Sequence, residues 1–286
     1  MTTSVRAQSL AQAADTVWAD EIRTVAMVWR RELIRFTRTR ARILTGIVQP
    51  LLFLFVLGYG MSSLVGTTAG FDFKKFMFPG IVAMSVVSTA IFAAMSIVWD
   101  REFGFMREML IAPVSRAALV IGKTAGGATI ATMQGSMMLL LAPLIGVHLT
   151  PILVVQVVAL ELLMAVALTA FGVFVASRIS KMESFQVVMQ LLLLPMLFLS
   201  GAMFPLRGLP PWLSALTRIN PLTYAIDPIR RVVFAAQQMP PAARQRFPTG
   251  IELFGHTLPL AGEIAIVGAF AVVFLVTAIQ VFGRPE

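Results

Sequence analysis

The stretch Trp99–Arg116, WDREFGFMREMLIAPVSR, decides how this chain is read. It separates two long runs, Phe76–Trp99 and Thr124–Leu160, that contain no Asp, Glu, Lys or Arg. Between those runs come Asp100, Arg101, Glu102, Arg107, Glu108 and Arg116. Phe103, Met106 and Leu110 recur at i, i+3 and i+7, one face of a short helix. Arg101 and Glu108 fall roughly opposite. Pro113 ends the helix, because proline disfavours the α conformation in the residue before it. The spacing therefore predicts an amphipathic helix over 100–116, at the water boundary between two membrane spans. Two readings stand: an ordinary polar loop, or a docking helix that takes force from a soluble partner.

Composition agrees with a membrane protein. Of 286 residues 58% are hydrophobic and 13% charged, and the mean hydropathy is +0.84. That is far more apolar than a soluble domain. Cysteine is absent and the only histidines are His148 and His256. Disulfides, thiolate or His-cluster metal sites and a Ser-His triad are therefore not expected, so no metal and no catalytic residue is assigned. The net charge is +9, and eight of the 23 basic residues lie in residues 1–42. Basic charge packed beside a first span sets topology and attracts anionic lipid; it does not indicate nucleic acid. Residues 1–17 lack the apolar core of a cleaved leader, so the first span is expected to act as the targeting signal.

Working outward, residues 1–16 are polar and Ala/Gln-rich and read as mobile. Trp18, Ile22, Val25, Trp29, Leu33 and Phe36 then form a helical stripe flanked by Arg23, Arg30, Arg31 and Arg35. Tryptophan with flanking arginine predicts an interfacial helix over 17–42. Six transmembrane helices are expected, at about 43–65, 78–98, 117–147, 152–177, 184–204 and 264–283, each long enough to cross the hydrocarbon. Pro50 and Gly58–Gly60 are expected to kink the first, and Pro143 the third. Lys123 is expected to snorkel to the head groups. Lys/Arg counts in the short connections place both termini and the 100–116 helix in the cytoplasm. The fold class is all-α and integral to the membrane, one domain over 1–283.

The 205–263 region is expected on the opposite side as short extracellular or re-entrant helices, which is allowed where protein or water lines them. Trp212, Leu216 and Ile219 share a face. Asn220 followed by Pro221 reads as an N-cap and first helical position. Tyr224, Asp227 and Arg230 continue that helix, and residues 237–262 read as an exposed loop. Glu161 falls about ten residues into the fourth span, near the midplane, where an acidic side chain is costly. It is expected to face protein, either bonded to Gln134 or Gln190 or as a polar contact in a substrate path. Gly122-Lys123-Thr124 is not the end of a phosphate-binding loop, since Ala117 stands where glycine is required and no strand precedes it. Gly122 and Gly126 make a G-x-x-x-G, a weak close-packing signal.

The two richest stretches, DREFGFMREMLIAPVSR followed by Gly122-Lys123, and SGAMFP with Leu209-Pro-Pro-Trp212, Asn220-Pro-Leu-Thr-Tyr224, Asp227 and Arg230, carry a resemblance. The chain resembles the permease subunits of ABC-2 type exporters, especially the daunorubicin-resistance and nodulation-export branch, over about residues 17–283. The resemblance implies a multi-pass protein of the cytoplasmic (inner or plasma) membrane. It implies that 100–116 is a coupling helix docking on a separate ATPase through Arg101, Glu102, Phe103, Met106, Arg107, Glu108, Leu110 and Pro113. It implies two ATPase subunits and a second permease, identical or not. ATP and Mg would sit on the ATPase partner, with no cofactor bound by this chain and no enzymatic activity of its own. Membrane lipids are expected neighbours. Apolar spans rich in Met and Phe suit an amphipathic, lipid-like, glycolipid-type or drug cargo. The alternative is an ion-gradient-driven secondary transporter, which would want several intramembrane ionisable groups and an internal repeat. Glu161 is one such group, and no repeat is visible. A membrane-bound enzyme would want clustered His, Asp or Glu at the interface, and none stands out.

Overall fold

The chain folds as a bundle of long helices joined by short turns. The computed structural model describes residues 2–65, 72–104, 115–206, 208–237, 239–247, 249–253 and 256–282. Helix α1 is Thr2–Arg38, so the polar 1–16 stretch read as mobile is helical from Thr2. A break at Thr39 starts α2, Arg40–Leu52. Pro50 has no N–H to give, and the helix answers with a π turn at Phe53–Leu57 before α3, Gly58–Val65. That turn is a common way to absorb a missing helical bond.

Helix α4, Phe73–Glu102, lies at the centre. It begins earlier and ends later than the apolar run alone predicts. Nothing in Trp99–Glu102 breaks a helix, so Asp100, Arg101 and Glu102 belong to its last turn rather than to a separate 100–116 helix. The first break is Gly104, with φ of 81°. Residues 105–114, and with them Met106, Arg107, Glu108, Leu110 and Pro113, lie outside the described residues. Helix α5, Arg116–Leu139, is capped by Ser115, whose hydroxyl accepts from the Ala118 amide. It stops short of the expected residue 147. Pro143 instead sits in a 3-10 turn, Ala142–Ile145, closed by Gly146 at φ 76°. Helix α6 is Pro151–Ala176, with Thr150 as N-cap. Helix α7 is Met182–Leu199 and ends at Gly201, where φ is 76° and glycine carries no steric cost. Then come α8, Pro211–Ile219, α9, Pro221–Ala236, and α10, Pro241–Arg246. A two-residue antiparallel pair follows, β1 Glu252–Leu253 with β2 His256–Thr257, and then α11, Leu260–Phe282.

Among the described residues five helical segments are long and apolar enough to cross a membrane: Ile43–Ser63, Phe73–Glu102, Pro151–Ala176, Met182–Leu199 and Leu260–Phe282. The remaining expected span, the third, is α5, which is rich in Gly, Ala and Thr. Its side chains are mostly packed inside the chain, so it does not need to be greasy. Helix α4 is largely enclosed, whereas Ile43–Ser63, α7 and α11 keep most of their surface outward. Leu44, Val48, Leu52 and Val56 on one side, and Val187, Leu191, Leu194 and Phe198 on α7, are exposed apolar faces. Such faces suit lipid or a second membrane chain.

Close approach explains α1. A Cβ added to Gly122 would lie 2.8 Å from the Val28 Cβ, and one on Gly126 2.8 Å from the Glu32 Cβ. The G-x-x-x-G spacing is thus the seat of α1 on α5. The predicted aromatic stripe divides: Phe36 is buried, Trp18 and Ile22 stay exposed, and the Trp29 indole donates to Thr129 Oγ1 at 3.1 Å.

The expectation of an exposed loop over 237–262 is overturned. Met239, Ala243, Phe247 and Ile251 are buried. Phe247 stacks on Phe76 with ring centres 5.1 Å apart. Only Ala243 of the four lies in a helix, so no periodic face marks them in the sequence, and the prolines around them signal loop.

Candidate functional site

Two clusters of polar side chains occupy opposite ends of α4. At the Asp100 end the key residue is Lys123. It does not snorkel; it is 5% exposed. Its Nζ lies 2.6 Å from Asp100 Oδ2, 3.4 Å from Glu32 Oε1 and 3.1 Å from Ser96 Oγ. Arg31 donates to the same Asp100 oxygen at 3.1 Å and to Glu32 at 3.3 Å, and Arg35 approaches Asp100 at 3.9 Å. Three cations thus meet two carboxylates, and α1, α4 and α5 are joined through them. A buried charge is tolerated when it is paired and hydrogen-bonded in this way.

The next residues of α4 hold the neighbouring turn. Arg101 donates to the Ser177 carbonyl at 2.9 Å. Glu102 accepts from the Met182 amide at 3.0 Å. That amide opens α7 and has no cap from its own Lys181 side chain, so a carboxylate from α4 supplies the missing acceptor. Both residues, expected to orient a partner, are engaged within the chain. Phe103 is different. It is 58% exposed and packs on Trp99, which is 40% exposed, ring centres 5.1 Å apart, with the Arg35 guanidinium 5.5 Å from the Trp99 ring. An exposed aromatic pair on a rigid helix end is what an anchor for another protein looks like.

At the Phe73 end of α4 the SGAMFP turn is locked from several sides. Asn220 caps α9 through Leu222 N at 3.1 Å, and its amide donates to the Met196 carbonyl at 2.6 Å, near the open C-terminal end of α7. Pro221 takes the first helical position, as expected. Thr223 donates to the Thr217 carbonyl, and the Tyr224 hydroxyl to the Arg218 carbonyl at 2.7 Å. Arg230 is 2% exposed, donates to the Gly201 carbonyl and lies 4.6 Å from the Phe76 ring centre. Burial pulls its pKa down from the usual arginine value, with the Asp227 carboxylate acting the other way. Asp227 accepts from Arg231 at 2.7 Å and from the Gly250 amide at 2.9 Å, and Arg231 reaches Glu263 at 2.6 Å. Trp212 stands apart, 66% exposed.

Glu161 is fully buried within the chain. Its Oε2 accepts from Ser136 Oγ at 3.1 Å, and its Oε1 has no hydrogen-bond partner among the described residues. The expected partners do not serve: Gln134 donates to the Ile43 carbonyl and Gln190 is exposed. Sequence reading also missed Glu32, Asp100 and Lys123 as one cluster. The only hint was that Glu32 and Lys123 are isolated charges in otherwise apolar helical faces.

The arrangement offers no group of three or more His, Cys, Asp or Glu able to hold a metal among the described residues. What it offers is a partner-sized aromatic edge at one end and a rigid capped turn at the other. A family model described as ABC-2 type transporter matches residues 23–234. The chain is 30% identical over 208 residues to nodulation protein J of Rhizobium leguminosarum bv. viciae, covering 71% of this chain and 79% of that protein. It is 30% identical over 214 residues to nodulation protein J of Rhizobium meliloti, covering 73% and 80%. It is 29% identical over 219 residues to the transport permease ycf38 of Cyanophora paradoxa, covering 73% of each. The matched region begins in α1 and ends in α9, taking in the Asp100-end cluster and the Asn220–Arg231 part of the other, and on that match the chain belongs to the ABC-2 type transporter family as an all-α, multi-pass membrane permease.

Proposed function

We propose that this chain is the membrane-spanning half of an ATP-driven exporter, with six spans and both termini in the cytoplasm. ATP and Mg belong to a separate ATPase present in two copies, and two permease chains complete the unit. The observation that carries this reading is the Trp99–Phe103 pair on the outward end of α4, beside a fully paired ion cluster. An ATPase docked there would push on a rigid body. Asp100 and Lys123 pass displacement to α1 and α5, while Arg101 and Glu102 pass it to the α6–α7 turn. A two-state closure of the partner would then shift the permease between inward-open and outward-open populations.

The cargo we infer is amphipathic. An open apolar cavity of about 550 Å³ lies at the far end of α4, lined by Leu57, Met61, Phe73, Met77, Met203 and Phe204 among others. Methionine and phenylalanine make an adaptable surface for acyl or aromatic groups. The test is co-expression with candidate ABC ATPase subunits, followed by co-purification and ATPase assay in nanodiscs. A stable complex whose ATPase activity rises with an amphipathic cargo supports the reading. Transport driven by an ion gradient with no ATPase bound would replace it with the secondary-transporter alternative.

A further inference from the structure

Arg230 is a buried cation with unspent bonding capacity. Its Nε is inaccessible and has no hydrogen-bond partner, and among the described residues no carboxylate reaches it in ion-pair range. Asp227, the acid whose charge acts on it, is occupied by Arg231. A guanidinium stays charged in a protein, so this leaves a buried charge held by one carbonyl and one ring face. The same residue forms part of the wall of a polar cavity of about 160 Å³. Arg218, Ser214, Thr217 and Thr223 line it too, as do Asp227 and Glu252. A water takes about 30 Å³ of liquid volume, so the space is right for a group of several heavy atoms.

We propose that this cavity, between α8, α9 and the 250–252 segment, binds a singly charged oxyanion, a phosphodiester or a carboxylate, against Arg230 and Arg218. Guanidinium groups match such oxygens in pairs. Asp227 and Glu252 on the same wall set the charge limit. Asp227 accepts from Arg231 and the Gly250 amide, and Glu252, also engaged within the chain, lies exposed at the rim. A dianion would meet repulsion there that a monoanion largely escapes. The oxyanion comes either free from solution or on a lipid head group. Bound there, it would tie α8 to α9 and hold the Gly201 turn through Arg230.

The test uses the full chain in zwitterionic nanodiscs, without ATPase or transport, so it stands or falls separately from the exporter reading. Thermal unfolding is followed by tryptophan fluorescence while acetate or dimethyl phosphate is titrated at constant ionic strength, with chloride as control. A saturable rise with either oxyanion, absent with chloride, is expected. Arg218→Gln should weaken half-saturation about ten-fold, the loss of one charge-assisted bond. Arg230→Gln should abolish the response; if that variant does not fold, exposed Arg218 still carries the test. A rise seen only when the nanodisc contains phosphatidylglycerol, and lost in Arg218→Gln, assigns the oxyanion to a lipid head group and supports the site. No saturable response to any of these probes, or one unchanged in Arg218→Gln, leaves a water-filled cavity and overturns the proposal.

Discussion

At its Asp100 end, α4 meets Lys123, Glu32, Ser96, Arg31 and Arg35 in a cluster where each charge has an opposite charge in range. At its Phe73 end, α4 meets Arg230 through a ring face; the guanidinium keeps an enclosed Nε with no partner among the described residues, and Arg230 forms part of a cavity wall. One end is saturated and joins three long helices. The other joins short helices and a loop, and leaves capacity over. On the proposed function and the proposed oxyanion site, the saturated end is the one that transmits and the unsaturated end the one that receives. A saturated cluster moves as one piece, because breaking any pair in low dielectric is costly. An unsaturated one changes energy when something arrives.

The largest effect expected is therefore at Lys123. Lys123→Met removes the cation shared by Asp100 and Glu32 and leaves two buried carboxylates to Arg31 and Arg35 alone. Breaking a buried pair from one side costs about 3–5 kcal/mol. The yield of monodisperse protein should collapse, and any folded fraction should unfold at lower temperature. A variant as stable as the parent would show that the cluster holds nothing. Substituting Arg230 should cost less, since it has no paired acid to strand.

Next comes the aromatic edge beside that cluster. Trp99→Ala/Phe103→Ala should leave the bundle folded, because both rings point outward. Loss of a buried anchor at an interface commonly exceeds about 2 kcal/mol. Co-purification with the ATPase should fall by more than about ten-fold in affinity, with membrane insertion unchanged. Undiminished binding would return this end of α4 to an ordinary loop boundary.

A smaller loss is expected where α1 rides on α5. Gly126→Ala places a Cβ 2.8 Å from the Glu32 Cβ, which is backbone-tethered and cannot swing away. Overpacking of this kind costs about 1–3 kcal/mol. It also displaces Glu32 from Lys123, so its effect should not add to that of Glu32→Gln. A double-mutant cycle measures the coupling.

These residues also show what was legible beforehand. Five of the expected spans and the Asn220-Pro221 junction follow from hydropathy and capping, which are local. The end of α4 was misjudged because charge marks the edge of the hydrocarbon, not the end of a helix; the helix runs on until Gly104. Lys123 was taken for a snorkelling residue because its partners lie 23 and 91 positions away. The buried residues of 239–251 were hidden by prolines that signal loops. Pairing across helices depends on which faces meet, and hydropathy does not encode that.

The smallest effect concerns Glu161, which lies between the two clusters and belongs to neither. It is enclosed where α5 and α6 meet, with Val86 of α4 nearby; a Cβ on Gly135 would stand 3.0 Å from its carboxyl carbon. One oxygen accepts from Ser136 and the other has no hydrogen-bond partner among the described residues. An unsatisfied buried polar atom costs about 1–3 kcal/mol, so this packing carries a penalty that another packing of α5 and α6 can relieve. Glu161→Leu removes the penalty without removing bulk. It should raise the unfolding temperature, by the equivalent of about 1 kcal/mol, and slow transport by holding the present conformation. Glu161→Gln keeps both polar atoms and is expected to fold as the parent does, with stability within about 1 kcal/mol. A Glu161→Leu protein that is less stable than the parent, or one that is more stable and transports at the parent rate, would mean that the idle oxygen stores nothing the cycle uses.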